Sequence, residues 1–169
     1  MAFAVGDKVM YPSIGAGTIT GTKEQELIAG FKHYYIIDIP AWESTVYVPV
    51  RKADELGLRS VLSREKIAGV LDILAGRPQT LPGDHRERQE QIEGRMATGR
   101  PLQVAEAVRD LAWHKAAARL NQKDEQLMAR GRKLLASEIA VVLEIGVEEA
   151  YGAMDEALEA SHARAKEGG

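Results

Sequence analysis

The sequence predicts an α+β protein, in which a small β-barrel of the Tudor or SH3 kind precedes an all-α domain of about five helices. In the first third of the chain, hydrophobic residues alternate with polar ones, as they do in strands with one buried face. From about residue 60 onward they recur every three or four positions, which is the spacing of amphipathic helices. We therefore expect a barrel domain over residues 1–59, a helical domain over 60–163 and a frayed tail over 164–169.

The strands of the barrel are predicted from three stretches. Residues 3–19 form a hairpin, because alternating hydrophobic positions are followed by a turn cluster from Pro12 to Gly17. His33 to Ile39 and Thr45 to Val50 are rich in aromatic and β-branched residues and predict two more strands. Pro49 has no N–H group for a central ladder, so that end of its strand should lie at an edge or a bulge.

Residues that favour helix starts predict where the helices begin. Ser63, Asp84 and Asn121 have the side chains preferred at N-caps, and Pro101 suits the first turn of a further helix. Gly146 should end the longest helix, with a final amphipathic helix after it.

Three residues in and around these helices carry packing predictions. Gly131 lies in the hydrophobic stripe of the longest helix, where it costs about 1 kcal/mol relative to Ala, so a close helix crossing is expected there. Trp113 should pack at a junction of helices. For Trp42, in a loop between strands, packing over the barrel and packing at the domain interface remain open.

The composition and charge restrict the class of protein. Hydrophobic residues make up 45% of the chain and charged residues 28%, with no cysteine, which is typical of a soluble globular protein of a reducing compartment. No run approaches the roughly 20 hydrophobic residues that cross a bilayer, and no secretory leader opens the chain. We therefore expect a cytoplasmic protein without a membrane partner.

The net charge of −3 is unevenly distributed. Residues 77–135 contain twelve Lys or Arg against eight Asp or Glu, a balance of +4, whereas the segments on either side are negative. A basic footprint suits phosphate contacts even when the whole chain is acidic. The alternative is that these arginines lie on solvated helix faces and pair with nearby glutamates.

No catalytic, cofactor or metal site is predicted. The glycine-rich stretch from Gly15 to Gly21 lacks the spacing of a dinucleotide fingerprint and the Gly-Lys-Ser/Thr of a P-loop, and a strand follows it. The four histidines are scattered, and no nucleophile elbow is present. We expect neither an enzyme nor a small-molecule substrate.

Four stretches resemble the CarD/CdnL family of bacterial regulators that bind RNA polymerase, whose N-terminal domain is shared with the transcription-repair coupling factor. They occur in the family's order and cover both halves of the chain. The stretches are Phe3 to Gly17, Val46 to Pro49, Leu56 to Arg59 and Val104 to Leu111.

The resemblance implies that the barrel binds the RNA polymerase β subunit through a sheet edge. Tyr47 and Pro49 lie at the predicted edge and Tyr35 lies on the preceding strand, so these three are the candidate polymerase-binding residues. Family members often carry a basic side chain where Tyr47 stands, so the corresponding ion pair is not expected here. The alternative is that both tyrosines only pack the barrel.

The resemblance also implies that the helical domain contacts promoter DNA in the minor groove, at the upstream fork of the bubble, and stabilises the open complex with weak sequence preference. A tryptophan usually forms a wedge where this chain has a histidine, so either that histidine or another residue takes the role. The candidate DNA-binding residues are His85, Arg86, Arg88, Lys123, Arg130 and Lys133. Two alternatives are a protein adaptor that does not bind DNA and an RNA-binding barrel of a ribosome-associated factor.

Overall fold

A computed structural model describes residues 2–167 and confirms the α+β class, with strands first and helices after them. The strands are β1 (Lys8–Tyr11), β2 (Gly15–Ile28), β3 (Phe31–Ile39), β4 (Ser44–Pro49) and β5 (Arg59–Ser60). The helices are α1 (Arg64–Ala75), α2 (His85–Ala97), α3 (Pro101–Ala117), α4 (Gln122–Leu143) and α5 (Val147–Glu167). Short 3-10 turns cover Pro40–Trp42 and Val50–Lys52.

The strands form one antiparallel sheet in the order β4-β3-β2-β1-β5. The predicted Tudor-like domain is therefore an open sheet, with β4 and β5 at its two edges in the described part of the chain. β4 pairs only with β3, which confirms the edge position predicted from Pro49. The outer side of β4 has no strand partner among residues 2–167.

The core of this domain is built from alternate positions of the central strands. Val9, Ile19, Ile37, Ile39 and Val48 are almost completely buried. Each such side chain stabilises the fold by about 1.5–3 kcal/mol relative to an exposed one. The sheet domain therefore has a hydrophobic core of its own, on one face of the strands.

A glycine is required where β2 passes close to β3. A Cβ atom on Gly17 would clash with the backbone carbonyl oxygen of Asp38. Backbone cannot move aside as a flexible side chain can, so a larger residue here would part the two strands.

The helical domain packs α1, α3, α4 and α5 around a second core. Ile67, Leu74, Ile139 and Met154 are among its fully buried side chains. A Cβ atom on Gly131 would lie 2.8 Å from Cγ2 of Val108, so α4 and α3 cross closely at this point, as predicted.

Trp113 also lies where the sequence predicts it. It is half-buried and packs edge-on against His162 of α5, with ring centroids 5.4 Å apart, at the junction of α3 and α5.

The predicted N-caps are confirmed. The Ser63 hydroxyl accepts a hydrogen bond from the Lys66 N–H at 3.2 Å, and Asp84 caps α2. Asn121 forms a complete capping box with Asp124, each side chain accepting from the other's backbone N–H.

Two predicted helix ends are wrong. α4 stops at Leu143, with Glu144 in the left-handed region at φ 56°, instead of continuing to Gly146. α5 continues to Glu167, although fraying was expected from Arg164, because the Arg164 guanidinium donates to the Ala75 carbonyl oxygen at 2.9 Å. Positions 168–169 of the expected tail lie outside the described residues.

Only three residues connect the sheet to the helices, and each has a structural contact. The Val61 N–H donates to the Lys8 carbonyl oxygen at 3.3 Å, and the Leu62 N–H donates to the Glu138 carboxylate at 2.9 Å. Ser63 caps α1. The connection is therefore held along its whole length.

Candidate functional site

Tyr47 is the exposed aromatic residue of the β4 edge. Its side chain is 45% exposed, and the Lys23 ammonium lies 5.2 Å from the centre of its ring. A strand edge with free backbone groups can pair with an extended segment of another chain. An aromatic ring beside it supplies contact area at little cost in conformational entropy.

Tyr35, by contrast, is a core residue. It is 4% exposed, its ring packs edge-on against Phe3, and its hydroxyl accepts from the Phe3 N–H at 3.1 Å. Cross-strand register explains the difference, because Tyr35 pairs with Val48 on the buried face and Tyr47 pairs with Ile36. The prediction that Tyr35 contacts a partner is wrong, and the packing alternative holds for this tyrosine.

Pro49 is buried as well. Its side chain cannot contact a partner, so that prediction is also wrong. Its role is to end β4 at the sheet edge, where it pairs with Tyr34.

The start of α2 presents His85 and Arg86 to solvent. The Arg86 and Glu87 N–H groups donate to the Asp84 carboxylate at 2.8 and 3.1 Å. These hydrogen bonds, that from Glu87 first, lower the pKa of Asp84, so it is charged at neutral pH. The Asp84 carboxylate therefore occupies two amides that would otherwise be open to an anion.

Arg88 is 4% exposed and cannot contact DNA, which corrects its assignment. Its Nε and Nη2 donate to the two carboxylate oxygens of Asp124 at 3.1 and 2.7 Å. Its Nη1 donates to the carbonyl oxygens of Pro82 and Gly83 at 3.2 and 3.1 Å. The alternative of a paired arginine applies here, but with a buried aspartate from another helix.

Asp124 is fully buried and charged. Burial alone would raise its pKa, but hydrogen bonds from Arg88, the Asn121 N–H and Gln89 outweigh that effect and hold the pKa below its usual value. Burial, followed by the nearby positive charge of Arg88, lowers the pKa of His114. The junction of α2 and α4 therefore contains one buried ion pair, beside a neutral histidine of α3.

Lys123 and Arg130 remain accessible on α4. The Lys123 ammonium pairs with Glu93 at 2.8 Å, but both side chains are about half exposed, so this pair contributes little and can give way to a phosphate. Arg130 is exposed, and no hydrogen bond or ion pair engages it within residues 2–167. It borders a cleft of about 200 Å³ that the sheet residue Pro12 also lines.

Lys133 is partly buried at the interface between the domains, and its engagement there argues against the predicted contact with DNA. Its ammonium lies 3.4 Å from the centre of the Trp42 ring, a cation–π contact. The Trp42 indole N–H donates to the Ile14 carbonyl oxygen, which fixes the ring against the sheet. This resolves the position of Trp42 in favour of the domain interface.

The two domains meet through a set of contacts on α4 that we call the dock. The Ser137 hydroxyl accepts from the Ala16 N–H at 3.0 Å, and Glu138 forms a bidentate ion pair with Arg59 at 2.8 and 2.9 Å. At the end of α4, Lys8 pairs with Glu144 at 2.9 Å. Sequence reasoning missed the dock, although a serine and a glutamate inside the hydrophobic stripe of α4 are the signal that marks it.

Within residues 2–167, no helix is both long and hydrophobic enough to span a membrane. The same residues contain no group of three or more His, Asp or Glu arranged to hold a metal ion.

Two family models match separate stretches of the chain. The family model "CarD-like/TRCF RID domain" matches residues 3–62, and "CarD, C-terminal domain" matches residues 69–155, just over half of the chain. A relative from Bacillus subtilis (strain 168), named "Putative transcription factor YdeB", is 26% identical over 140 residues, which cover 83% of this chain and 92% of the relative.

Proposed function

Because the chain belongs to the CarD family, whose members are transcription regulators that interact with RNA polymerase, we propose that it stabilises the promoter open complex. The sheet domain binds the polymerase β subunit, and the helical domain contacts promoter DNA at the upstream fork of the bubble. The observation that carries this proposal is the dock, which holds an exposed strand edge and an exposed helix start in one fixed arrangement. The proposal places the protein in the bacterial cytoplasm, at the nucleoid through polymerase.

The polymerase contact is assigned to β4. Its outer backbone edge is unpaired in the described part of the chain, and Tyr47 is the one residue of the three predicted that presents its side chain. Strand addition supplies affinity through main-chain hydrogen bonds, and the exposed ring adds specificity.

The DNA contact is assigned to the start of α2 and the accessible cations of α4. His85 offers an aromatic surface to an unstacked base, although imidazole has less area than the indole usual in the family. Arg86, Lys123 and Arg130 supply positive charge. If each neutralises one phosphate, the slope of log affinity against log salt is roughly −3.

Tethering explains why so small a footprint is sufficient. A protein bound to polymerase meets the adjacent DNA at an effective concentration of order mM, so weak contacts are occupied. We expect the free protein to bind DNA weakly and yet to lengthen the open-complex lifetime when polymerase is present.

The experiment compares four variants with the wild type. Tyr47→Glu should abolish capture of the β subunit, whereas Val5→Glu, at an exposed residue of the same domain outside β4, should not. At saturating protein, His85→Ala should shorten the open-complex lifetime and His85→Trp should lengthen it. Identical lifetimes for wild type, His85→Ala and His85→Trp would remove this histidine from the mechanism.

The second candidate function is that of a protein adaptor that does not bind DNA. The burial of Arg88 and the contact of Lys133 with Trp42 favour it, because they reduce the number of cations available to DNA. In that case the double variant Arg86→Glu/Arg130→Glu would leave the open-complex lifetime unchanged. Under our proposal this double variant shortens the lifetime.

A further inference from the structure

We propose that Arg88 is a positioning residue, which fixes the start of α2 so that His85 and Arg86 meet DNA in one geometry, without contacting DNA itself. The inference rests on the proposed function and deepens it. It is carried by the contacts of one buried guanidinium group with two separate parts of the helical domain, the loop before α2 and the start of α4.

The guanidinium joins a loop to two helices. Arg88 lies on the first turn of α2, and its Nη1 reaches back to the carbonyl oxygens of Pro82 and Gly83, the two residues before the Asp84 N-cap. Its Nε and Nη2 are held by Asp124 on the first turn of α4. The backbone leading into α2 is therefore tied to α4 through one side chain.

Asp124 is itself held rigidly. Its carboxylate also accepts from the Asn121 N–H at 3.0 Å and from the Gln89 amide at 3.2 Å. The Gln89 amide donates in addition to the Asn121 side chain at 2.9 Å. The acidic partner of Arg88 is thus fixed by further hydrogen bonds, which is the arrangement that holds a functional group in place.

The chemistry requires arginine. The planar guanidinium presents donors in fixed directions, so it can hold a carboxylate bidentately and still reach two carbonyl oxygens. A lysine keeps the charge but offers a single ammonium, which cannot satisfy both sides of this site. A phosphate contact would tolerate lysine, whereas the positioning role does not.

Arg95 provides a matched control. It lies near the opposite end of α2 and pairs with the buried Asp110 at 2.8 Å. Arg88→Lys and Arg95→Lys therefore each weaken an ion pair between α2 and a buried aspartate, but only the first lies at the proposed DNA-contacting end. Arg88→Gln is a second variant in case either lysine variant folds poorly.

The experiment measures open-complex lifetime at saturating protein, together with hydrogen exchange of the Arg86 and Glu87 amides. Arg88→Lys should shorten the lifetime by about tenfold, because misplacing a contact by 1 Å has effects of this order or larger. It should also speed exchange of the two amides. Arg95→Lys should change neither, and polymerase capture should be normal in both.

The outcomes separate this inference from the proposed function. A wild-type lifetime for Arg88→Lys, with a shortened one for Arg86→Ala, would overturn the positioning role and leave the proposed function intact. Equal reductions in open-complex lifetime for Arg88→Lys and Arg95→Lys would mean that Arg88 only stabilises the fold, which would overturn the positioning role. Wild-type lifetimes for Arg86→Ala and Arg88→Lys together would overturn the proposed function and the inference with it.

Discussion

Two buried acids on α4 hold two arginines in nearly the same way, but they join different parts of the molecule. Asp124 binds Arg88 of α2 within the helical domain, and Glu138 binds Arg59 of β5 across the domain interface. Each carboxylate also accepts a backbone N–H, from Asn121 in one case and from Leu62 in the other. α4 is therefore the element to which both the sheet and the start of α2 are attached.

The two ion pairs differ in their exposure to solvent. Arg88 is 4% exposed and Asp124 is fully buried, whereas the Arg59 side chain is 29% exposed beside a nearly buried Glu138. Water can solvate Arg59 if its partner is removed, but it cannot reach Arg88 without opening the structure. We therefore expect loss of the acidic partner to destabilise the protein more at Asp124 than at Glu138.

Asp124→Ala should have the largest effect, lowering the free energy of unfolding by about 3–5 kcal/mol, because it leaves a buried guanidinium unpaired. Chemical denaturation measures this loss. Asp155→Ala is the control, since its ion pair with Arg132 is exposed and should contribute at most about 1 kcal/mol. Similar losses for the two variants would contradict the distinction between buried and exposed pairs.

Glu138→Ala should cost less, about 1.5–3 kcal/mol, because Arg59 can be rehydrated. The characteristic result should be loss of the fixed domain arrangement, with both domains still folded. Small-angle scattering would then report a broader distribution of distances, and polymerase capture would persist while the open-complex lifetime fell. An unchanged scattering profile would mean that the other dock contacts are sufficient.

Acidification should weaken the junction of α2 and α4 in two stages. The pKa of His114 is lowered from 6.5, so stability is lost as pH falls from about 6.5 through its folded value, because the unfolded state binds the proton more readily. The pKa of Asp124 is lowered from 3.8, so its contribution is present above that value and is lost below it. His114→Gln should remove the first stage only, as measured by denaturation across the pH range.

The smallest predicted effect distinguishes Arg130 from Lys133, two basic residues of α4. Arg130→Gln should reduce the salt slope of DNA affinity by about 1, whereas Lys133→Gln should leave it unchanged. Lys133→Gln should instead cost about 0.5–1 kcal/mol of stability through loss of the contact with Trp42. A reduced slope for Lys133→Gln would restore that residue to the DNA surface.

Local signals were sufficient for much of the fold. Ser63, Asp84 and Asn121 cap their helices because capping depends on neighbouring residues, and Gly131 marks a close crossing because its cost needs a packing reason. The position of β4 at an edge followed from Pro49 in the same way.

The site residues depended on long-range packing and were harder to predict. Arg86 and Arg88 look alike in the sequence, and only Asp124, which approaches from another helix, distinguishes the exposed one from the buried one. Tyr35 and Tyr47 were separable in principle, because Tyr35 shares the alternation of Ile37 and Ile39 and should follow them into the core.

The three residues between β5 and α1 form a taut connection, since Val61, Leu62 and Ser63 each make a contact with the sheet domain or the helical domain. A glycine-serine spacer inserted here would lengthen the connection and remove these contacts, leaving the dock alone to hold the two domains in their fixed arrangement. Lengthening the connection residue by residue would therefore show how far the fixed arrangement of the two domains, as opposed to their covalent attachment, governs the protein's effect on transcription.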